Sequence, residues 1–151
     1  MLTKLDLEQV QELIIDDPVR PHITADWRVS GACEVYALYE DQYAEQAPVS
    51  FEGPRAVICV AYTSDVPTCE LDLGWAGNNV AVFYTVWSYD KGAGRDIVFA
   101  TAGHIKKENP DVKRYVTLSP LTTMADRFHL RNGAKFLAKY DDAQNFEYTI
   151  S

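Results

Sequence analysis

The sequence predicts a mixed α/β fold, an α+β sheet with helices packed on it, in one domain. Its 151 residues fit a single domain, since domains cluster at roughly 100–200 residues. A chain of that length buries about two-thirds of its extended surface, so it needs no disulfide or metal to support a core. Helical and strand periodicities follow one another as helix, three strands, helix, strand, helix and two strands, the pattern of a sheet layered with helices. Near the middle, a strand pattern runs into a glycine-rich turn that opens directly into a helix pattern.

Thr3 with Asp6 marks a helix start, and Leu5, Val10, Leu13 and Ile14 give an apolar stripe up to a stop at Asp17-Pro18. A connection holding prolines and a tryptophan runs through Trp27. Residues 34–39 alternate as a strand that ends in the acidic stretch 41–52. Residues 55–63 make a more buried strand through Val57, Ile58, Val60 and Tyr62, and 64–77 reads as a loop with room for one short element. Residues 80–87 are apolar nearly throughout, as a central strand covered on both faces must be. Ile97, Thr101 and Ile105, with Val98 and Ala102 beside them, set out a helix ending near Asn109-Pro110. A strand at 112–118 precedes a short helix at 121–132, with Met124, Ala125 and Phe128 on its apolar side and Gly133 as its cap. Residues 134–140 and 146–150 finish the chain as a strand pair.

Composition narrows the function classes. With 47% hydrophobic and 24% charged residues, the chain composes like an ordinary globular domain. Its net charge of −8 argues against a general binder of nucleic acid or membrane surfaces, which carries a broad basic footprint. The charge is uneven, however. Residues 91–139 hold ten basic and four acidic side chains, whereas the remainder holds four and 18. Long polyanions are therefore excluded, but a small one would meet the basic segment.

No apolar run approaches the ~18 residues of a membrane span, and the acidic first ten residues do not resemble a secretory leader. Cys33, Cys59 and Cys69 are odd in number and without C-x-x-C spacing, which points to inert thiols in a reducing, cytoplasmic compartment. Cys69 is expected to be the exposed one. His22, His104 and His129 share no ligand spacing, so no metal is expected. Trp27, Trp75 and Trp87 read as packing or rim residues.

The turn Asp90-Lys91-Gly92-Ala93-Gly94-Arg95 suits an anion. Small residues let backbone N–H groups face a ligand, the helix start adds partial positive charge, and Lys91 and Arg95 flank it. It lacks the Gly-Lys-Ser/Thr of a Walker loop and the third glycine of a dinucleotide fingerprint. From these residues alone, a tight turn without a ligand remains an open alternative.

Taken together, these elements resemble the acyl-CoA-dependent superfamily called GNAT, in which the Gly-x-Gly/Ala turn before the third helix cradles the CoA pyrophosphate. Tyr89 stands where that motif commonly has Gln or Arg. Within the superfamily, the chain is most similar to the catalytic domain of malonyl-CoA decarboxylases, best over residues 80–137. Ala81-Val82-Phe83-Tyr84-Thr85-Val86 looks like that family's strand before the CoA loop. Thr117-Leu118-Ser119-Pro120 is similar to its Leu-Ser-Pro segment, which carries a catalytic serine. Phe128-His129-Leu130-Arg131-Asn132-Gly133-Ala134 resembles its Phe-His-Leu-x-Asn-Gly-Ala, which carries the catalytic histidine. The chain departs from that family in having just residues 121–127 between the serine segment and the histidine, and residues 1 to about 30 ahead of the sheet where the family has a separate helical domain.

The resemblance implies Ser119 and His129 as catalytic residues, with Val86, Trp87, Lys91, Gly92, Ala93, Gly94, Arg95 and Asn132 binding the cofactor portion of acetyl-CoA or malonyl-CoA. The expected chemistry is decarboxylation of an acyl-CoA. Ser119 would hydrogen-bond the carboxylate or thioester, and His129 would supply a proton from a pKa near 6.5. The alternatives are N-acetyl transfer to an amine or protein acceptor, and acyl-CoA binding or inhibition without catalysis. Transfer would use Glu34, Glu40, Asp90 or His129 as base and Tyr140 as acid. For an isolated serine or histidine a structural role is the better reading: Ser119 would end a strand before Pro120, and His129 would cap a neighbouring carbonyl.

Overall fold

The computed structural model describes residues 1–40 and 53–151; the acidic stretch 41–52 lies outside them. Strand β1 (Leu2–Lys4) occupies residues that the sequence reading assigned to a helix start. They extend because β2 (Cys33–Leu38) takes their backbone, with Leu2 opposite Leu38 and Lys4 opposite Tyr36. Helix α1 (Leu7–Leu13) begins instead at Asp6. Asp6 accepts from the Gln9 N–H while the Gln9 side chain accepts from the Asp6 N–H, both at 2.9 Å, a reciprocal cap that satisfies two otherwise orphaned donors. A 3-10 turn, Ile14–Asp16, carries the chain to the stop at Asp17-Pro18. The connection beyond it contains a one-turn helix, α2 (Ala25–Arg28), capped by Thr24. Four residues are too few to display a helical period, so pattern reading missed it.

Strands β3 (Ala56–Thr63) and β4 (Val80–Ser88) follow, then α3 (Ala93–Glu108), β5 (Arg114–Thr117), α4 (Thr123–Arg131), β6 (Lys135–Lys139) and β7 (Gln144–Tyr148). They form one seven-stranded sheet in the order β1-β2-β3-β4-β5-β7-β6. The apolar strand β4 lies at its centre, as its composition required. β4 and β5 are parallel, joined by the α3 crossover, and every other neighbouring pair is antiparallel.

Alternation along the strands feeds two cores. On one face, Ile97, Val98, Ala102 and Ile105 of α3 pack on Ile58, Val60, Ala81 and Phe83, with Phe146 and Tyr148 of β7 beside them. On the other, Val10 of α1 and Ala25 of α2 pack on Val35, Cys59, Val82 and Tyr84. Leu73, from the β3–β4 connection, joins this second face.

Helix α4 corrects the sequence reading. Met124, placed on the apolar side, is 82% exposed, whereas His129 is 8% exposed and Asn132 is buried. Gly133, at φ 93°, ends the helix as expected. β6 is an exposed edge strand, and β7 starts two residues earlier than its apolar pattern indicated because Gln144 pairs with Lys139. Among the described residues, no helix is long and apolar enough to cross a membrane.

Candidate functional site

The parallel pairing of β4 with β5 runs from Val80 opposite Arg114 to Phe83 opposite Thr117 and then stops. β4 continues to Ser88, while the chain after β5 turns toward β7, where Ser119 bridges Gln144. Among the described residues, a gap in the strand pairing thus opens beside residues 84–88 of β4. At its apex β4 carries a bulge: Cys59 pairs with Thr85 and Val60 with Phe83, so Tyr84 is left over. The extra residue puts Tyr84 and Thr85 on one face, Tyr84 against Trp27 and the Thr85 hydroxyl donating to Asp17 at 2.9 Å. Such bulges re-aim backbone groups and recur beside functional sites.

The helix that opens beyond this gap starts at Gly92, whose φ of 81° favours glycine and around which a Cβ would meet nothing within 4 Å. Gly94 serves a different purpose. A Cβ there would stand 3.0 Å from Cε1 of Phe128, so the missing side chain lets α4 close against α3. In the first turn, the N–H groups of Ala93 and Asp96 bond the carbonyls of Asp90 and Gly92. Those of Gly94 and Arg95 take no backbone carbonyl among the described residues, leaving them aimed outward as a helix start requires.

Lys91 and Arg95 are exposed here, and the two nearby acids are already engaged. Arg55 bonds Asp90 at 3.0 Å and approaches Asp96 at 3.8 Å. The surplus charge at the turn is therefore positive. Arg95 lies over the Phe99 ring and donates to Asn132 Oδ1 at 3.4 Å. Among the described residues the Asn132 amide nitrogen is buried with no acceptor in hydrogen-bonding geometry, a donor whose burial is costly unless something accepts from it.

α4 and β7 bring His129 to the same corner. Its Nδ1 lies 2.7 Å from the Tyr148 hydroxyl, and its ring stacks on Phe146 at 5.2 Å. Burial pushes the His129 pKa down to about 4, against a smaller upward pull from Asp126. This corrects the expectation of a histidine titrating near 6.5: at neutral pH the ring is uncharged, one nitrogen donating and the other accepting. Burial pushes the Tyr148 phenol up, so its hydroxyl keeps its proton.

The Ser119 hydroxyl is buried and donates to Thr117 Oγ1 at 2.8 Å, which also accepts from the Phe146 N–H at 3.0 Å. Ser119 and His129 share no hydrogen bond among the described residues; Phe146 connects them, bonded to the Thr117–Ser119 pair through its backbone and stacked on His129 through its ring.

Other candidates fall into place unevenly. Val86 faces the α3 side and Trp87 the opposite core, with its indole N–H donating to the Tyr89 hydroxyl, so along the gap Trp87 offers backbone alone. Glu34 pairs with Lys4 at 2.9 Å near the far edge of the sheet. Tyr140 sits in the β6–β7 hairpin, its N–H bonded to Ala143. Two clefts, of ≈ 390 and ≈ 420 Å³, lie along β1, β2 and the end of α3, lined by Lys4, Glu34, Tyr36 and His104 among others, and neither includes a candidate residue of the turn, Ser119 or His129. Cys33 and Cys59 are buried and Cys69 is exposed, as expected. Among the described residues, no three His, Cys, Asp or Glu side chains are grouped to hold a metal ion.

Sequence reasoning missed a buried network under the bulge. Asp17 and Arg28 pair at 2.7 Å with both side chains fully buried. Burial alone would raise the Asp17 carboxyl, but the N–H groups of Arg20 and Val19, the Arg28 guanidinium and the Thr85 hydroxyl outweigh it and hold the pKa below the usual value. Arg20, beside this pair, donates to the Tyr84 carbonyl and to Glu70. No local pattern marks residues brought together from 11 to 68 positions apart.

No protein-family model matches the chain, and no curated protein matches it at a significant level. Solved structures do. A malonyl-CoA decarboxylase from Rhodopseudomonas palustris superposes over 98% of this chain and 59% of its own, with 18% identity and a TM-score of 0.67. Arabidopsis thaliana NAA60 bound to acetyl-CoA superposes over 98% of this chain and 97% of its own, at 11% identity and TM-score 0.66. A GNAT-family protein from Desulfovibrio desulfuricans covers 100% of this chain and 99% of its own, at 12% identity and TM-score 0.64. The chain spans between 33% and 59% of the malonyl-CoA decarboxylases it matches. With its central parallel pair, splayed and bulged fourth strand and helix-opening turn, the chain has the GNAT fold.

Proposed function

We propose that the chain, as one domain over residues 1–151, binds a CoA thioester along the free edge of β4 and decarboxylates a malonyl- or related acyl-CoA. The observation that carries this reading is the convergence at the start of α3: outward N–H groups at Gly94 and Arg95, exposed Lys91 and Arg95, and the buried amide nitrogen of Asn132. The outward N–H groups and the two cations meet where a helix dipole already favours an anion, and a pyrophosphate accepts from both, with Asn132 buried behind Arg95. Gly92 and Ala93 shape the turn, while the Val86 and Trp87 backbone flanks the pantetheine arm along the gap.

In this reading the C–C bond to the carboxylate breaks, carbon dioxide leaves, and the electron pair passes into a thioester enolate. The neutral His129, with the Tyr148 hydroxyl donating to Nδ1, presents its Nε2–H to the enolate oxygen. A neutral ring that polarises an oxygen without ionising is a known catalytic device. Ser119 orients the thioester or its carboxylate. The α-carbon then takes up a proton from water to give the shortened acyl-CoA.

Amine transfer is the second reading. Decarboxylation is favoured because it needs neither acceptor nor carboxylate base: Glu34 and Asp90 are already ion-paired. The β3–β4 connection is also tied across the α1/α2 face. Asn145 of β7 donates to the Pro67 carbonyl of that connection at 3.1 Å, and Glu70 of the connection meets Arg20. A reducing, cytoplasmic location belongs to the same reading, supported by the free thiols of Cys33 and Cys59.

Incubation with malonyl-CoA tests it. Acetyl-CoA and carbon dioxide should form, and His129→Gln should abolish their formation without abolishing CoA binding. Thiol release from acetyl-CoA that depends on an added amine would instead establish transfer. Binding without turnover would establish a silent acyl-CoA binder.

A further inference from the structure

The Asp17–Arg28 pair raises a question of purpose. A fully buried ion pair contributes little net stability, because desolvating both charges offsets their attraction. Its remaining hydrogen bonds show what it holds. Asp17 Oδ1 accepts from the Arg20 N–H at 3.0 Å, and Arg28 Nη2 donates to the Arg20 carbonyl at 2.6 Å. Both backbone groups of Arg20 are thus clamped by the pair, and the Thr85 hydroxyl ties it to the bulge.

The side chain so positioned is 6% exposed. Its Nη1 donates to the carbonyl of Tyr84, the residue at the apex of the gap, and its Nε to Glu70 Oε1 at 3.1 Å. Nη2 has no acceptor among the described residues. Glu70 is a loosely held partner: its side chain is 43% exposed and is shared with His22 at 2.8 Å.

We infer that Arg20 is a specificity residue that selects CoA thioesters whose acyl chain ends in a free carboxylate over those with neutral acyl chains. The inference rests on the proposal that a CoA thioester lies in the gap. The four residue steps from Ser88 to Tyr84 span about 13 Å, a length comparable with an extended pantetheine arm, so an acyl group arrives at the apex where Arg20 waits. A nearly buried guanidinium whose Nη2 is unused matches a carboxylate in charge and offers it a donor. An acetyl group offers it nothing. Glu70 acts as the competing internal carboxylate that the ligand displaces.

Calorimetric titration of the full chain with acetyl-CoA, malonyl-CoA and succinyl-CoA tests this, with product formation followed alongside. The native chain should bind the carboxylated thioesters roughly tenfold or more tightly. Arg20→Met should level the three affinities while leaving that for acetyl-CoA within about threefold, and Arg20→Lys should keep part of the preference. Should Arg20→Met fail to fold, Glu70→Gln, at a half-exposed position, decides: removing the competitor should raise the preference, and an unchanged or smaller preference overturns the inference. Equal binding of acetyl- and malonyl-CoA by the native chain overturns it while leaving the thioester site intact. Failure to bind any CoA thioester overturns both.

Discussion

His129 offers the sharpest physical test, because its burial and its proposed role depend on the same neutral ring. The pKa falls from 6.5 in the unfolded chain to about 4 in the folded one, chiefly by burial. A histidine depressed in this way contributes stability that is fully present above pH 6.5 and is lost as the pH falls through 4, since over that window the unfolded chain binds the proton more readily. Linkage over that shift gives a loss of about 2 kcal/mol between about pH 7 and pH 5, or roughly 4–8 °C in melting temperature for a chain of this size. Urea unfolding of the native chain and of His129→Gln at both pH values measures it. Glutamine does not titrate, so whatever the substitution costs outright, the variant should lose about 2 kcal/mol less than the native chain between the two pH values. Equal losses would mean that the ring is hydrated or paired with a charge, and the hydrogen-bond-donor role drawn from its neutrality would fall with it.

The two glycines of the turn should fail for different reasons. Gly92→Ala places a side chain in the left-handed region at a cost of about 1–2 kcal/mol, and nothing nearby compensates. Gly94→Ala drives a methyl group into Phe128, costing about 1–3 kcal/mol, and Gly94→Ala with Phe128→Leu should recover part of that in denaturant titration. Asp17→Asn leaves Arg28 buried without its counter-charge and should cost about 3–5 kcal/mol, whereas Asp17→Leu with Arg28→Met should be much closer to neutral. Because the Asp17 carboxyl is held below its usual value, its contribution is present above about pH 4 and disappears as the pH falls further; the Asp17→Leu/Arg28→Met chain should lack that part of the acid transition.

What was legible in the sequence follows from the range of the forces involved. The apolar run of β4, the stripe Ile97–Thr101–Ile105 of α3 and the glycine ending α4 are set by neighbours within a few residues, and pattern alone located them. β1 was misread because its three residues have no period of their own and extend through pairing with β2, more than thirty residues away. The inward face of α4 was legible only in part, through Ala125 and Phe128 but not Met124, for a related reason. His129 and Asn132 count as polar in any local window, yet their partners Tyr148 and Arg95 come from β7 and α3 and make burial tolerable.

At the site, the turn and the Phe-His-Leu motif stood out as contiguous segments. Arg55, which bonds Asp90 and approaches Asp96, and the Asp17–Arg28–Arg20 cluster left no such trace. A lone charged residue in a strand or loop looks the same whether it is solvated or buried with a partner.

The single parallel pair in the sheet has a mechanical side. β1 to β4 form one antiparallel block and β5 to β7 another, and the strands of the two blocks are stitched to each other over four residue pairs, from Val80 with Arg114 to Phe83 with Thr117. The gap that would receive a thioester is the continuation of that same seam. A molecule lodged there touches both blocks at once and extends the stitching beyond Phe83, so it acts as mortar as well as substrate. Native-state amide exchange should register this as protection spreading to Leu118, Ser119 and the end of β4 together, far from the turn where the ligand's charge is held.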